Sequence, residues 1–475
     1  MSLIQTIEWP PSAFDEPSSP FFSGVEKRPI RITFHTASLS GLQGEEEQAL
    51  AALRELCYLD EIESLNTDDG PLPRIVITED VTDFDGYLVD VINADGSPGL
   101  RAGVANHDQW PEIATLLVGG GMVGGPDSAA MLTDLITAKA HYSVHHDIFV
   151  TTSNRLLSHR AKGWVKDTNP RLPSETAQIV GLFLRSLENY IYSAGSRFTK
   201  TTGHWGFYWV LARHKLPSMW RYFSACHYAG SLRNDDTFEI AESILQRCSR
   251  ALQARDAIGE IFYDDELTYD TLGKMMYHFD YLALLLAGVF DAQARISHRA
   301  LGLPKKKEQY SGFRRGQFQN ELKHNPDATD IYTLITGDKF QFLTTMVYRL
   351  RNTIHGAGPQ NRIGYESNTG AHVGFAELSR EDGEAVWAAA EYLSSPDEWG
   401  LSREKLNGNY RYNIEPYDYA SSLVYHCFNL IDEDAALTEI EKLFPVGAQI
   451  PKLSDGPPDD HVFGKDIRER LALLG

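Results

Sequence analysis

The chain has 475 residues, 42% of them apolar, which is enough for two or three packed domains rather than one. Its 44 Lys and Arg against 65 Asp and Glu leave a net charge of −21, a surface that repels nucleic acid except where a basic patch stands out locally. No apolar run is long enough to span a membrane, residues 1–8 lack the basic stretch and apolar core of an export signal, and Cys57, Cys226, Cys248 and Cys427 form no CxxC pair or zinc spacing, so the expectation is a reduced, cytoplasmic protein without metal or cofactor.

Residues 1–28 are rich in Pro, Ser and Phe without periodicity and read as an extended arm. Over 29–165 strand and helix patterns alternate. Strands are expected at 31–35, 73–78, 86–92 and 147–152, and helices at 45–59, where Leu50, Leu53, Leu56 and Cys57 share a face, and at 128–143. That alternation argues for an α/β domain around a parallel sheet. The apolar run 113–118 leads into a glycine run at 119–125, which lacks the Lys-Ser/Thr ending of a phosphate loop and reads as flexible.

From 174 onward helical patterns dominate, so the fold class is α/β followed by an all-α region. Residues 174–255 form a helical connecting region, with helices expected at 176–193, 205–213, 217–229 and 236–257. Residues 256–440 form a helical domain. It contains a long apolar helix over 277–296, further helices at 338–355, 379–395 and 417–429, and a Gly-rich loop at 356–375; 441–475 reads as a tail.

The stretch Tyr348-Arg349-Leu350-Arg351-Asn352-Thr353-Ile354-His355-Gly356 carries the clearest chemistry. It reads as the last turns of a helix stopped by Gly356 and Pro359. Arg351 and His355 are one turn apart on a common face, and the histidine falls where a helix end favours a cation. An arginine, an amide and an imidazole at a helix mouth suit a phosphodiester and a proton moved beside it. The same residues also serve as an ordinary helix cap. Upstream, Asp291 in the 277–296 helix needs a partner, either Arg295 one turn on or Arg351 or His355 across the bundle. Lys305, Lys306, Lys307, Arg314, Arg315 and Lys323, interleaved with Tyr310, Phe313 and Phe318, form a basic and aromatic stretch suited to a single strand or a tRNA loop. A second cluster, His204, Trp205, Trp209, His214 and Trp220, has the composition of core anchors or of a stacking surface.

The Arg351-Asn352-x-x-His355 run resembles the motif of the HEPN superfamily of helical domains, with a shorter Arg-to-His spacing than the commoner family pattern; Arg349 gives a longer spacing from another face. The apolar 277–296 helix resembles the long helix that packs against the motif helix in such domains. The resemblance implies a bundle over 256–440 and a metal-independent endoribonuclease acting in phage defence or as a toxin. Arg351, Asn352 and His355 would then be catalytic, with Asp291, Arg295 and Arg349 in support, and the chain would form a homodimer. The segment around Asp134, with the strand that follows it and ends at Ser153, resembles the end of a PIN-like nuclease domain. Only Asp134 keeps an acid there; His35-Thr36 and Ser153 stand at the other positions, which implies a degenerate domain used for binding. The leading expectation is an RNA-directed protein. The alternative is an inactive scaffold or sensor that binds protein or RNA.

Overall fold

The structure, a computed structural model, describes residues 19–21, 27–67, 72, 74–79, 86–105, 133–134, 136–138, 146–158, 160, 168–195, 198–263, 268–354, 359–365, 372–406, 408–453 and 464–475. The expectations for 113–118 and 119–125, most of the 128–143 helix, and His355 lie outside the described residues.

The first described strand, β1 (Ile30–Phe34), places Ile30, Ile32 and Phe34 out of solvent, as suits a strand covered on both faces. It is followed by α1 (Gly44–Leu56), β2 (Ile62–Asn66), β3 (Arg74–Glu79), β4 (Gly86–Ile92), β5 (Pro98–Ala105), β6 (Ile148–Val150), the short α2 (Asn154–Leu157) and β7 (Pro170–Arg171). The seven strands lie in the order β5-β4-β3-β2-β1-β6-β7. β1 pairs parallel with β2 and with β6, and the β2–β3 and β6–β7 pairs are parallel too. β3, β4 and β5 continue the sheet as antiparallel neighbours. The expected parallel α/β layer is therefore present. Strands β2, β5 and β7 go beyond the expectation; in β2 an exposed Glu63 and a half-buried Ser64 interrupt the apolar run that would announce it.

Helix α3 (Pro173–Ser186) packs against α1. It stops well before the end expected at 193. Glu188 adopts φ 61°, Glu188 N–H donates to the Arg185 carbonyl, and Asn189 N–H donates to that of Leu184. This is a Schellman-type stop built on a non-glycine residue, and it releases the chain into the hairpin β8 (Ile191–Gly195) and β9 (Phe198–Thr201).

Then follow α4 (His204–Lys215), α5 (Met219–Arg233), α6 (Thr237–Phe262) and α7 (Tyr269–Ala300), the last two packed along each other. A 3₁₀ turn, Lys305–Tyr310, precedes α8 (Gly316–Lys323), α9 (Thr329–Thr336) and α10 (Asp338–Thr353). Next come β10 (Gln360–Tyr365), β11 (His372–Leu378), α11 (Arg380–Leu393), β12 (Leu401–Leu406), β13 (Asn409–Ile414), α12 (Pro416–Leu437) and α13 (Lys465–Leu473). The C-terminal part is helix-rich but not all-α. β10, β11, β13 and β12 form a four-stranded antiparallel sheet, and β10 with most of β11 occupies the segment expected to be a loop. Among the described residues no helix is long and apolar enough to cross a membrane.

Two cores result. One gathers Phe21, β1, α1, β6 and α3; the other runs from Phe207 to Leu471 through α4 to α13 and includes Ala376, Leu401 and Ile414 of the sheet. Phe21, from the expected arm, stacks on Tyr263 at 5.2 Å and meets the Phe183 edge at 5.5 Å. Between the cores lies a buried ionic knot. Asp256 accepts from Arg185 Nε (2.7 Å), from Arg255 Nη2 (2.6 Å) and from the Tyr208 hydroxyl (2.9 Å). The two arginines also donate to the carbonyls of Leu474 and Gly475, which fastens the end of α13 to α3 and α6.

Candidate functional site

The helix that bears the motif, α10, buries Phe340, Leu343, Met346, Val347 and Leu350, a repeat of three and four that turns one face into the bundle. Tyr348, Arg349, Arg351 and Asn352 are left off that face; Asn352 is exposed and Arg351 half-buried. Helix α7 lies against α10, with Phe290 packed on Phe340 at 5.9 Å.

Asp291 is exposed on α7 and, of the alternatives expected for it, pairs with neither Arg295 nor Arg351. It reaches across to α10, where it accepts from the Tyr348 hydroxyl at 2.9 Å. Arg295 turns to Glu308 (3.3 Å) and Asp236 (3.7 Å). Burial first, and the Asp291 charge second, push the Tyr348 phenol above its ordinary value, so it stays protonated as the donor. Two guanidinia approach its ring: Arg351 at 5.8 Å from the centroid and Arg314 at 5.4 Å. Both distances are within cation–π range. Neither arginine pairs with a carboxylate among the described residues. Arg349 is committed elsewhere, to Glu381 (2.6 Å) and Asp382 (3.2 Å), where it ties α10 to the start of α11.

The basic stretch therefore meets the motif helix, but through one residue. Arg314 comes to Tyr348; Arg315 donates to the Gln309 carbonyl (2.9 Å), and Lys307 pairs with Glu321 (2.8 Å). Lys305 and Lys306 stand exposed on the 3₁₀ turn. Phe313 and Phe318 are core residues rather than stacking surfaces. Tyr348 is the member that a residue-by-residue reading passes over. The available signal is its place one turn before Arg351, on the side of the helix away from the apolar repeat.

The N-terminal positions singled out by resemblance also come together. β1 has β2 on one side and β6 on the other, so the crevice past the ends of β1 and β6 is a topological switch point, the usual ligand position in such sheets. His35 follows β1 and Ser153 follows β6. The Ser153 hydroxyl donates to Asp134 at 2.5 Å, Arg155 lies 3.6 Å from the same carboxylate and His35 Nε2 lies 4.0 Å from it. Burial lowers the His35 pKa against the raising effect of Asp134, and its Nδ1 meets the Thr151 hydroxyl at 3.0 Å. Among the described residues this donor set has a single carboxylate, hydrogen-bonds to itself and does not form the oxygen-rich cradle that hard cations need. No family model, no curated protein and no solved structure matches the chain.

Proposed function

We propose that the Tyr348 face binds RNA through its phosphates, and that the chain is a metal-independent endoribonuclease of the HEPN type. The observation that carries this reading is the pair of guanidinia, Arg314 and Arg351, gathered at one aromatic ring without carboxylate partners among the described residues, in a chain of net charge −21. A planar guanidinium held in this way is preorganised to fork onto a phosphate. Arg351 holds the scissile group and stabilises the charge that develops on it. His355, one turn further along the sequence, exchanges the proton of the 2′-hydroxyl or leaving oxygen. Asn352, exposed beside them, orients the phosphate. Asp291 fixes Tyr348, and with it the platform on which the arginines rest.

Tyr277, Tyr281 and Leu284 expose an apolar stripe on α7, upstream of Asp291, which supports a second copy docking on this helix. Incubation of the purified chain with total RNA in chelator is expected to give cleavage. Arg351→Ala should slow it by about 10²–10³-fold, and His355→Ala by about 10²–10⁴-fold. Light scattering on the same preparation should read twice the chain mass. Undiminished cleavage in both variants would remove the catalytic assignment, and a monomer mass would remove the docked copy. Absence of cleavage with RNA binding retained would favour the second reading, a binding scaffold, which the single carboxylate found in the N-terminal crevice among the described residues supports.

A further inference from the structure

A cavity of about 230 Å³ opens between α4, the start of α5 and α13, lined by Arg213, His214, Pro217, Trp220, Lys465, Arg468 and Glu469. It belongs to neither the Tyr348 face nor the crevice at Asp134. Among the described residues three cationic side chains line one small space in a strongly acidic protein, together with one carboxylate, Glu469, which lies 3.6 Å from Lys465.

Arg213 is the unusual member. Its guanidinium lies flat enough on Trp220 to bring the charge 3.6 Å from the ring centroid, with Phe223 at 5.4 Å and Trp209 at 5.9 Å. Its Nε is buried with no hydrogen-bond partner. A buried guanidinium N–H left without an acceptor is costly, and buried polar groups are nearly always paired. Burial pushes Arg213 down to about 10, so it remains charged at neutral pH. The imidazole of His214 is pushed below its ordinary value by burial and by Lys215, and it serves as a neutral hydrogen-bonding group on the wall. The aromatic bed restricts the guanidinium fork, so little motion has to be frozen when an oxyanion arrives. The volume is below the ~300–1,000 Å³ of pockets for whole cofactors, which fits one compact head group.

We infer that this cavity is a binding site for the phosphate group of a small phosphorylated molecule, held by Arg213 with Arg468 and Lys465 on the rim. A dianion matches three surrounding cations better than a carboxylate does, and its tetrahedral oxygens let the arginines and the lysine each take a separate one. The site is independent of the RNA reading, since Arg213 and Arg351 lie on different helices.

The test is calorimetric titration of the intact chain with inorganic phosphate and, separately, with a simple phosphate monoester such as glycerol phosphate. Saturable one-to-one binding is expected for both, tighter for the monoester if a small molecule is the source. Arg213→Gln and Arg468→Gln should each weaken it by about 10-fold or more. The distant Lys405→Gln should leave it unchanged. If Arg213→Gln lowers the unfolding midpoint, Arg468→Gln decides the matter. Absence of saturable binding by either probe at millimolar concentration would overturn the inference, as would binding indifferent to both arginine substitutions.

Discussion

Asp256→Ala is expected to destabilise the protein by about 3–5 kcal/mol, the usual consequence of removing one partner from a buried ion pair. Asp256 is 5% exposed and, among the described residues, is the carboxylate that bonds to both Arg185 and Arg255. Burial would raise its pKa, but the two guanidinia outweigh burial and hold it below the usual carboxylate range. Lys215 lies in the same field; burial and Arg255 push it down to about 8. Without Asp256 the two arginines lose the carboxylate that bonds them in a low-dielectric space, and Tyr208 loses its acceptor. The carbonyls of Leu474 and Gly475 accept from the same arginines, so the loss should spread to the docking of α13. Asp256→Asn, which keeps the shape and part of the hydrogen bonding, should fall between. Thermal unfolding reads the result as a drop on the order of 10 °C, and a loss under about 1 kcal/mol would mean that the knot is not what joins the two cores.

Stability is expected to fall as pH rises from about 4 to about 8, at up to ~1.4 kcal/mol per pH unit from one group, Asp434. This residue of α12 is 1% exposed, and neither carboxylate oxygen has a hydrogen-bond partner. Burial raises its pKa to about 8. The folded state therefore keeps the proton in a range where the unfolded chain, with an ordinary aspartate, has released it. More protons on the folded state mean that raising the pH favours unfolding, until the group ionises in both states above about 8 and the slope ends. Asp434→Asn should flatten this part of the profile and raise stability at pH 7 above that of the parent. Denaturant midpoints at pH 5, 6, 7 and 8 for both proteins check it, and parallel profiles would contradict the assignment.

The knot and the Asp434 position also show which parts of the protein are legible in its sequence. The centre of the parallel sheet and the long helices are legible because their apolar residues repeat at two or at three and four. β1 and α7 are the clearest cases, each buried along the face that the pattern marks. β12 is not, because only Leu401 of its six residues is buried and no period survives. The end of α3 escapes a pattern reading because a glutamate, Glu188, takes the left-handed turn that glycine usually announces. At the candidate site, residue type alone picks out Arg351 and Asp291 but not their connection. It runs through Tyr348, 57 positions from Asp291 in sequence, and depends on how two helices cross. Likewise Arg295 is the natural partner of Asp291 on one helix face, whereas Glu308 and Asp236, brought in by neighbouring segments, hold it instead.

The proposed function turns on whether Arg314 and Arg351 grip RNA phosphates at Tyr348. The direct measurement is the affinity of the intact chain for a single-stranded RNA oligonucleotide across a range of salt, in a His355→Ala background that keeps the strand whole. Binding should weaken with salt, and adding Arg314→Gln and Arg351→Gln should lower both the affinity and the slope of log affinity against log salt, by roughly 0.7 for each phosphate that is no longer neutralised. An unchanged slope and affinity in the doubly substituted chain, or no RNA binding in the parent at low salt, would contradict it.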